Sequence, residues 1–199
     1  MRRLIDTLNR IPRVLLFAAA GLIQVALIVV MVIDRLRVLR EGSEVRLQTR
    51  PVDPRDFLRG DYVVLNYEIS SVAAAGLKDQ PVPGKHASVY VRLAPNAEGF
   101  HSAVSVHAEP VAVTAPDVLI RGRVLYGANC GGDVRLFCDR LQLNYGIEKY
   151  FVPEGEGRQI EQPRRDGKVT IVAAVTPAGR AAIKRLLIDG KPVYDEPLF

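Results

Sequence analysis

Cysteine and histidine are scarce in this chain, with two of the first and three of the second among 199 residues. Cys130 and Cys138 are too few for a structural zinc site, and no histidine lies near them. His86, His101 and His107 show no metal-ligand spacing, so no metal is expected. No phosphate loop or dinucleotide fingerprint is present, and no cofactor is expected. G-x-S-x-G and other nucleophile signatures are also missing, which disfavours an enzyme. Beyond Arg50, no basic cluster is interleaved with aromatics in the way that tracks single strands. The net charge of +5 owes much to arginines flanking an apolar run, where anionic lipid headgroups are the natural partners. Nucleic acid is therefore rejected as a partner.

The apolar run itself is the strongest feature present. Residues 14–33 carry no charge, and Gln24 is their only polar side chain. At about 1.5 Å rise per residue, such a run covers the roughly 30 Å hydrocarbon core of a bilayer. A cleaved signal peptide would place small residues after a shorter apolar stretch. Here Ala18 to Gly21 lie inside the run, and Val29-Val30-Met31-Val32-Ile33 follows them. A buried or surface-lying helix would show a polar face, and this run has none.

We therefore expect a single-pass protein embedded in a lipid bilayer. Residues 1–13 form a basic tail, 14–33 a transmembrane helix, 34–50 a juxtamembrane segment and 51–199 a β-domain. The flanking arginines nearly balance: Arg2, Arg3, Arg10 and Arg13 on one side, Arg35, Arg37, Arg40 and Arg46 on the other. The layout of a short basic tail before the run resembles a signal anchor and places the tail in the cytoplasm. Ala20, Gly21 and Gln24 share one helix face; they suit a helix–helix contact, or a lone span that tolerates one glutamine.

Past the span, β-type runs bounded by turn residues dominate. They are Glu44-Thr49, Tyr62-Ile69, Ala87-Leu93, His101-Val106, Leu119-Tyr126, Val134-Tyr145, Lys149-Val152 and Lys168-Val175. Val72-Leu77, with its three alanines, is the one candidate helix of the domain. An internal repeat organises the runs. Leu65-Asn66-Tyr67-Glu68-Ile69 recurs as Leu143-Asn144-Tyr145-Gly146-Ile147, and Arg59-Gly60 corresponds to Arg121-Gly122. Downstream, Val89-Leu93, the Asn96-Gly99 turn and the strand to Val106 match Val169-Val175, Thr176-Gly179 and Arg180-Ile188. The last segment reads locally as an amphipathic helix, but its counterpart is strand-like and Asp189-Gly190 is a hairpin signal. We read it as a strand. The expected fold is all-β, two related modules over 51–113 and 117–195, in a sandwich or partly open barrel. The cysteines permit a disulfide or two free thiols; a tight turn at Gly131-Gly132 would hold them too far apart to bridge.

Gly60-Asp61-Tyr62-Val63-Val64-Leu65-Asn66-Tyr67 resembles the motif that gives the GDYXXLXY family its name. Tyr145-Gly146-Ile147-Glu148-Lys149-Tyr150-Phe151-Val152-Pro153-Glu154-Gly155 is similar to its second shared block. The resemblance implies a bacterial envelope location in the inner membrane, a periplasmic domain and a multi-pass membrane protein as neighbour. It implies no activity. Physically, Gly60 suits a turn needing positive φ, Asp61 a turn cap, and Tyr62 and Tyr67 packing with bonded hydroxyls. Alternatively, Asp61, Tyr62 and Tyr67 with Arg55 and Arg59 would wall a polar pocket. Five positions apart, Tyr62 and Tyr67 face opposite ways on an ideal strand, which weighs against convergence. Glu148, Glu154 and Glu161 could flank an acidic cleft, though surface glutamates are usually only solvated.

The layout is also similar to that of bacterial signal peptidases, which need a serine just after the span and a lysine base. Gln48-Thr49-Arg50-Pro51 offers no serine. Two functions remain: a membrane-tethered accessory or interaction subunit, and an envelope hydrolase or small-ligand-binding domain with an unrecognised site.

Overall fold

Apolar side chains without interruption favour a helix that satisfies its own backbone, and helix α1 runs from Arg13 to Glu41. It is long and apolar enough to cross a membrane, and its apolar window is fully unburied. The structure, a computed structural model, describes residues 12–50, 62–73, 84–128, 140–151 and 169–196. The chain divides into two units, Met1–Arg37 and Val38–Phe199.

The second unit opens with the end of α1 and turns at once into a strand. Gly42 permits the corner: a Cβ there would lie 2.6 Å from the Val38 carbonyl oxygen and 2.9 Å from the Val175 nitrogen. The strands are β1 (Ser43–Arg50), β2 (Tyr62–Val64), β3 (Asn66–Tyr67), β4 (Ser71–Ala73), β5 (Ser88–Pro95) and β6 (His101–His107). They continue with β7 (Val118–Ala128), β8 (Arg140–Asn144), β9 (Lys149–Phe151), β10 (Val169–Val175), β11 (Ala181–Ile188) and β12 (Lys191–Asp195). Among the described residues the domain is all-β as expected, in two five-stranded antiparallel sheets with no closed barrel.

One sheet has the order β12-β11-β10-β1-β3, and the other β4-β8-β7-β5-β6; β2 and β9 form a separate short ladder. The second sheet comes largely from the middle of the chain. The first joins β1 and β3 to the last three strands, so it closes only when both ends of the domain are present. Alternation explains the inward faces. In β5, Val89, Val91 and Leu93 are buried while Ser88 and Arg92 are exposed. Val45 and Leu47 of β1, Ile120 of β7 and Leu141 of β8 join them in one core shared by both sheets. Strand β10 is buried along its whole length, which fits its unbroken Val-Thr-Ile-Val-Ala-Ala-Val sequence.

The hairpins β5–β6 and β10–β11 are built alike. Their register shifts fall between Arg92 and Leu93 and between Val172 and Ala173. Their turns end on Gly99 and Gly179, with φ of 79° and 80°. Asn96 and Thr176 hold those turns, their side-chain oxygens accepting from Phe100 N and Arg180 N. Ala181–Ile188 is thus a strand despite the helical periodicity of Arg180-Ile188. Pairing with β10 on one side and β12 on the other decides it. Asp189 and Gly190 both have positive φ, as a two-residue hairpin turn requires.

Two expectations change. Val72 does not begin a helix: Ser71–Ala73 pairs with β8 as a strand, and the rest of the Val72-Leu77 stretch lies outside the described residues. The run Tyr62-Ile69 is not one strand. It breaks at Leu65 and ends in a 3₁₀ turn over Glu68–Ser70, where the chain leaves the first sheet for the second. The short strand β12 had no sequence signal beyond the turn before it.

Candidate functional site

The repeated Leu-Asn-Tyr segments meet at the junction of the two sheets. Tyr67 ends β3 in the first sheet, and Tyr145 follows β8 in the second. Both rings are buried in the shared core. The Tyr67 hydroxyl donates to the Ile147 carbonyl, and the Tyr145 hydroxyl donates to the Ile69 carbonyl at 2.7 Å. Burial, aided by the nearby Glu148 carboxylate, pushes both phenols well above their usual value. They remain neutral donors.

Each tyrosine amide is held by the side chain three residues on. Tyr67 N donates to Ser70 Oγ at 3.1 Å, and Tyr145 N donates to a Glu148 carboxylate oxygen. The other Glu148 oxygen accepts from Gly146 N at 2.9 Å, and its carbonyl accepts from Leu65 N at 2.7 Å. Gly146 takes φ of 81° here, where the first copy has Glu68 inside the 3₁₀ turn. Glu148 is therefore a turn clamp, its two carboxyl oxygens holding the Tyr145 and Gly146 N–H groups.

The second copy has one further requirement. Gly122 lies beneath the Tyr145 ring, where a Cβ would stand 3.0 Å from Cε1. The residue that pairs with Tyr67 in the first sheet is Thr49, so the positional counterpart of Gly122 is Thr49 and not Gly60, which corrects the correspondence expected from the repeat.

Of the other predicted site residues, Tyr62 lies on β2 with its backbone paired to Phe151. Arg55, Arg59, Gly60, Asp61, Glu154 and Glu161 lie outside the described residues, as do Cys130 and Cys138. Ala20 and Gln24 are exposed on α1, and Gly21 has open space where a Cβ would stand. Among the described residues, no group of three or more His, Cys, Asp or Glu is placed to hold a metal ion.

A model of the GDYXXLXY protein family matches residues 24–186. The chain belongs to this family. The match begins inside the apolar helix of this GDYXXLXY protein and extends into β11, so it covers both tyrosine segments and every strand except the end of β11 and β12. Comparison with curated proteins and with solved structures gives no match.

A second feature of this GDYXXLXY protein involves none of the predicted site residues. The outer face of the first sheet carries a groove of about 430 Å³, floored by Thr170, Val172 and Leu187. Phe100 walls it, Glu44 and Arg185 close one end, and Asp189 and Gly190 lie at the other. Glu44 takes 2.9 Å bonds from Arg185 Nη2 on both oxygens and a 2.7 Å bond from Lys184 Nζ. The Lys184 hydrogen bond holds its carboxyl below the usual range; partial burial opposes this and Arg185 reinforces it. Beside Phe100, His101 Nδ1 accepts from Arg46 N at 3.2 Å and ties β6 to β1. In sequence, these residues look like an ordinary polar strand face. Only the placing of β1 on one side of β10 and β11 on the other makes them a groove.

Proposed function

We propose that this GDYXXLXY protein is a non-enzymatic accessory subunit of a membrane complex. In this reading α1 anchors it in the bacterial inner membrane, its β-domain is periplasmic, and its partner is a multi-pass membrane protein. The observation that carries the proposal is the use of the motif. Tyr67, Tyr145 and Glu148 spend their polar atoms on internal bonds at the sheet junction. Groups bonded in this way brace a domain, and such a domain acts by presenting surface instead of by transforming a substrate. The basic residues ahead of the apolar run support the orientation. Ala20, Gly21 and Gln24 offer a place where a neighbouring helix could approach closely.

The test is site-specific photo-cross-linking in intact membranes from position 24. Covalent adducts with one integral membrane protein are expected, and they should be lost when the rest of residues 14–33 is replaced by leucine with the photoreactive residue kept at position 24. Cross-links to lipid alone, with the detergent-solubilised chain running as a lone species, would refute the subunit reading. Orientation is tested separately. A reporter enzyme that works only outside the cytoplasm should be active when fused after Phe199, and activity of a cytoplasm-only reporter there reverses the topology.

A further inference from the structure

We propose that the groove on the outer face of the first sheet binds a small monocarboxylate with an apolar body. The Arg46 guanidinium and the Thr170 hydroxyl would hold the carboxylate, and Phe100, Val172 and Leu187 the apolar part. The groove is formed by the β-domain alone, so the proposal stands independently of the subunit reading.

Thr170 is the pointer. It sits on the central strand of the sheet with only 7% of its surface exposed, and lines the groove. Among the described residues its hydroxyl has no hydrogen-bond partner, although Thr49, on the neighbouring strand, donates to the Val169 carbonyl. Every other residue of β10 is apolar. A buried hydroxyl without a partner destabilises a fold, and a ligand acceptor in the groove would relieve that cost.

Arg46 supplies the charge. It lies opposite Val172 in the β1–β10 ladder, so Thr170 is its diagonal neighbour on the same face. Such neighbours are about 7–8 Å apart, well within the reach of an arginine. Arg46 is exposed and its side chain has no partner among the described residues, whereas Arg185 is engaged by Glu44 and lies 3.7 Å from Asp195. A single free guanidinium forks onto a carboxylate through two N–H groups, and the Thr170 hydroxyl supplies a third donor. Because Glu44 already occupies Lys184 and Arg185, Arg46 alone is left to meet the ligand's charge, which suits a monoanion better than a phosphate dianion. The volume lies in the range of small-molecule sites, and the apolar floor and wall suit an aliphatic or aromatic body.

The test uses the full chain in nanodiscs of zwitterionic lipid, titrated with 4-phenylbutyrate and octanoate against empty nanodiscs. Saturable binding of at least one acid is expected, together with a raised Tm. 4-Phenylbutanol should bind at least tenfold more weakly than 4-phenylbutyrate, and inorganic phosphate should not bind. Arg46→Gln should weaken binding about tenfold or more without altering the Tm of the free protein. Thr170→Val, which swaps the lone hydroxyl for a methyl group, should weaken binding several-fold while raising the Tm of the free protein. Absence of saturable binding by both acids overturns the proposal. So does alcohol binding that equals the acid, or binding unchanged in both variants. If Thr170→Val lowers the Tm of the free protein, the hydroxyl is not an unsatisfied group and the proposal also fails.

Discussion

Tyr67 and Tyr145 exchange hydrogen bonds across the sheet junction: each hydroxyl donates to the carbonyl two residues beyond the other tyrosine. Two copies of one short sequence thereby brace each other, and neither bond exists unless both sheets are docked. Tyr67→Phe or Tyr145→Phe leaves a buried carbonyl unpaired and should cost about 1–3 kcal/mol. Because both bonds span one junction, the double variant should depart from additivity by about 0.5 kcal/mol or more. Denaturant titration of the four proteins measures this coupling, and strict additivity would show that the two bonds act separately.

The same pair predicts an alkaline limit. Burial raises both phenols in the folded state, whereas an unfolded tyrosine ionises near pH ~10. The stabilisation is fully present below that pH and is lost as pH rises above it, because only the unfolded chain readily releases the protons. The Tm should fall steeply from about pH 10 upward. In the Tyr67→Phe/Tyr145→Phe protein that slope should be shallower.

His101 sets a limit on the acid side. Burial lowers the ring from its usual value, opposed by the Asp117 charge, and its Nδ1 accepts from Arg46 N, a bond that only the unprotonated nitrogen can make. With a lowered folded value, the stabilisation is present above the unfolded histidine value of about 6.5 and is lost as pH falls below it. His101→Gln removes the titration and should flatten the Tm profile between pH ~7 and ~5. Glu44, whose carboxyl is also lowered, contributes its loss further towards acid.

Two glycines are required by close approach. Gly122→Ala drives a Cβ against the Tyr145 ring, which is fixed by its own hydrogen bond and cannot retreat freely. A cost of about 1–3 kcal/mol is expected, rising further in Gly122→Val. Gly42→Ala meets backbone atoms at 2.6 and 2.9 Å and should cost at least as much, because neither atom can swing aside. Gly21→Ala has nothing within 4 Å and should leave domain stability unchanged. Thermal melts of the four variants rank them, and an unaltered Gly42→Ala melt would contradict the corner geometry.

The sequence by itself determined the apolar helix, the all-β character of the rest and most of the strands. Those features rest on local periodicity and turn chemistry, which neighbouring residues decide among themselves. It also carried the repeated Leu-Asn-Tyr segment and, through Gly99 and Gly179, the likeness of two hairpins. Tertiary structure decided which strands share a sheet. Pairing β1 with β10 is a contact between the two ends of the domain, and alternation along either strand is the same whatever its partner. Pairing with β10 and β12 turned Ala181–Ile188 into a strand against its helical period. The β1–β10 contact also placed Arg46, Thr170 and Phe100 around one groove, a juxtaposition that no spacing along the chain encodes. The tyrosine motif was legible as a pattern, but its role was not. Whether a hydroxyl meets a carbonyl or a ligand depends on what lies across the junction, and packing settled that.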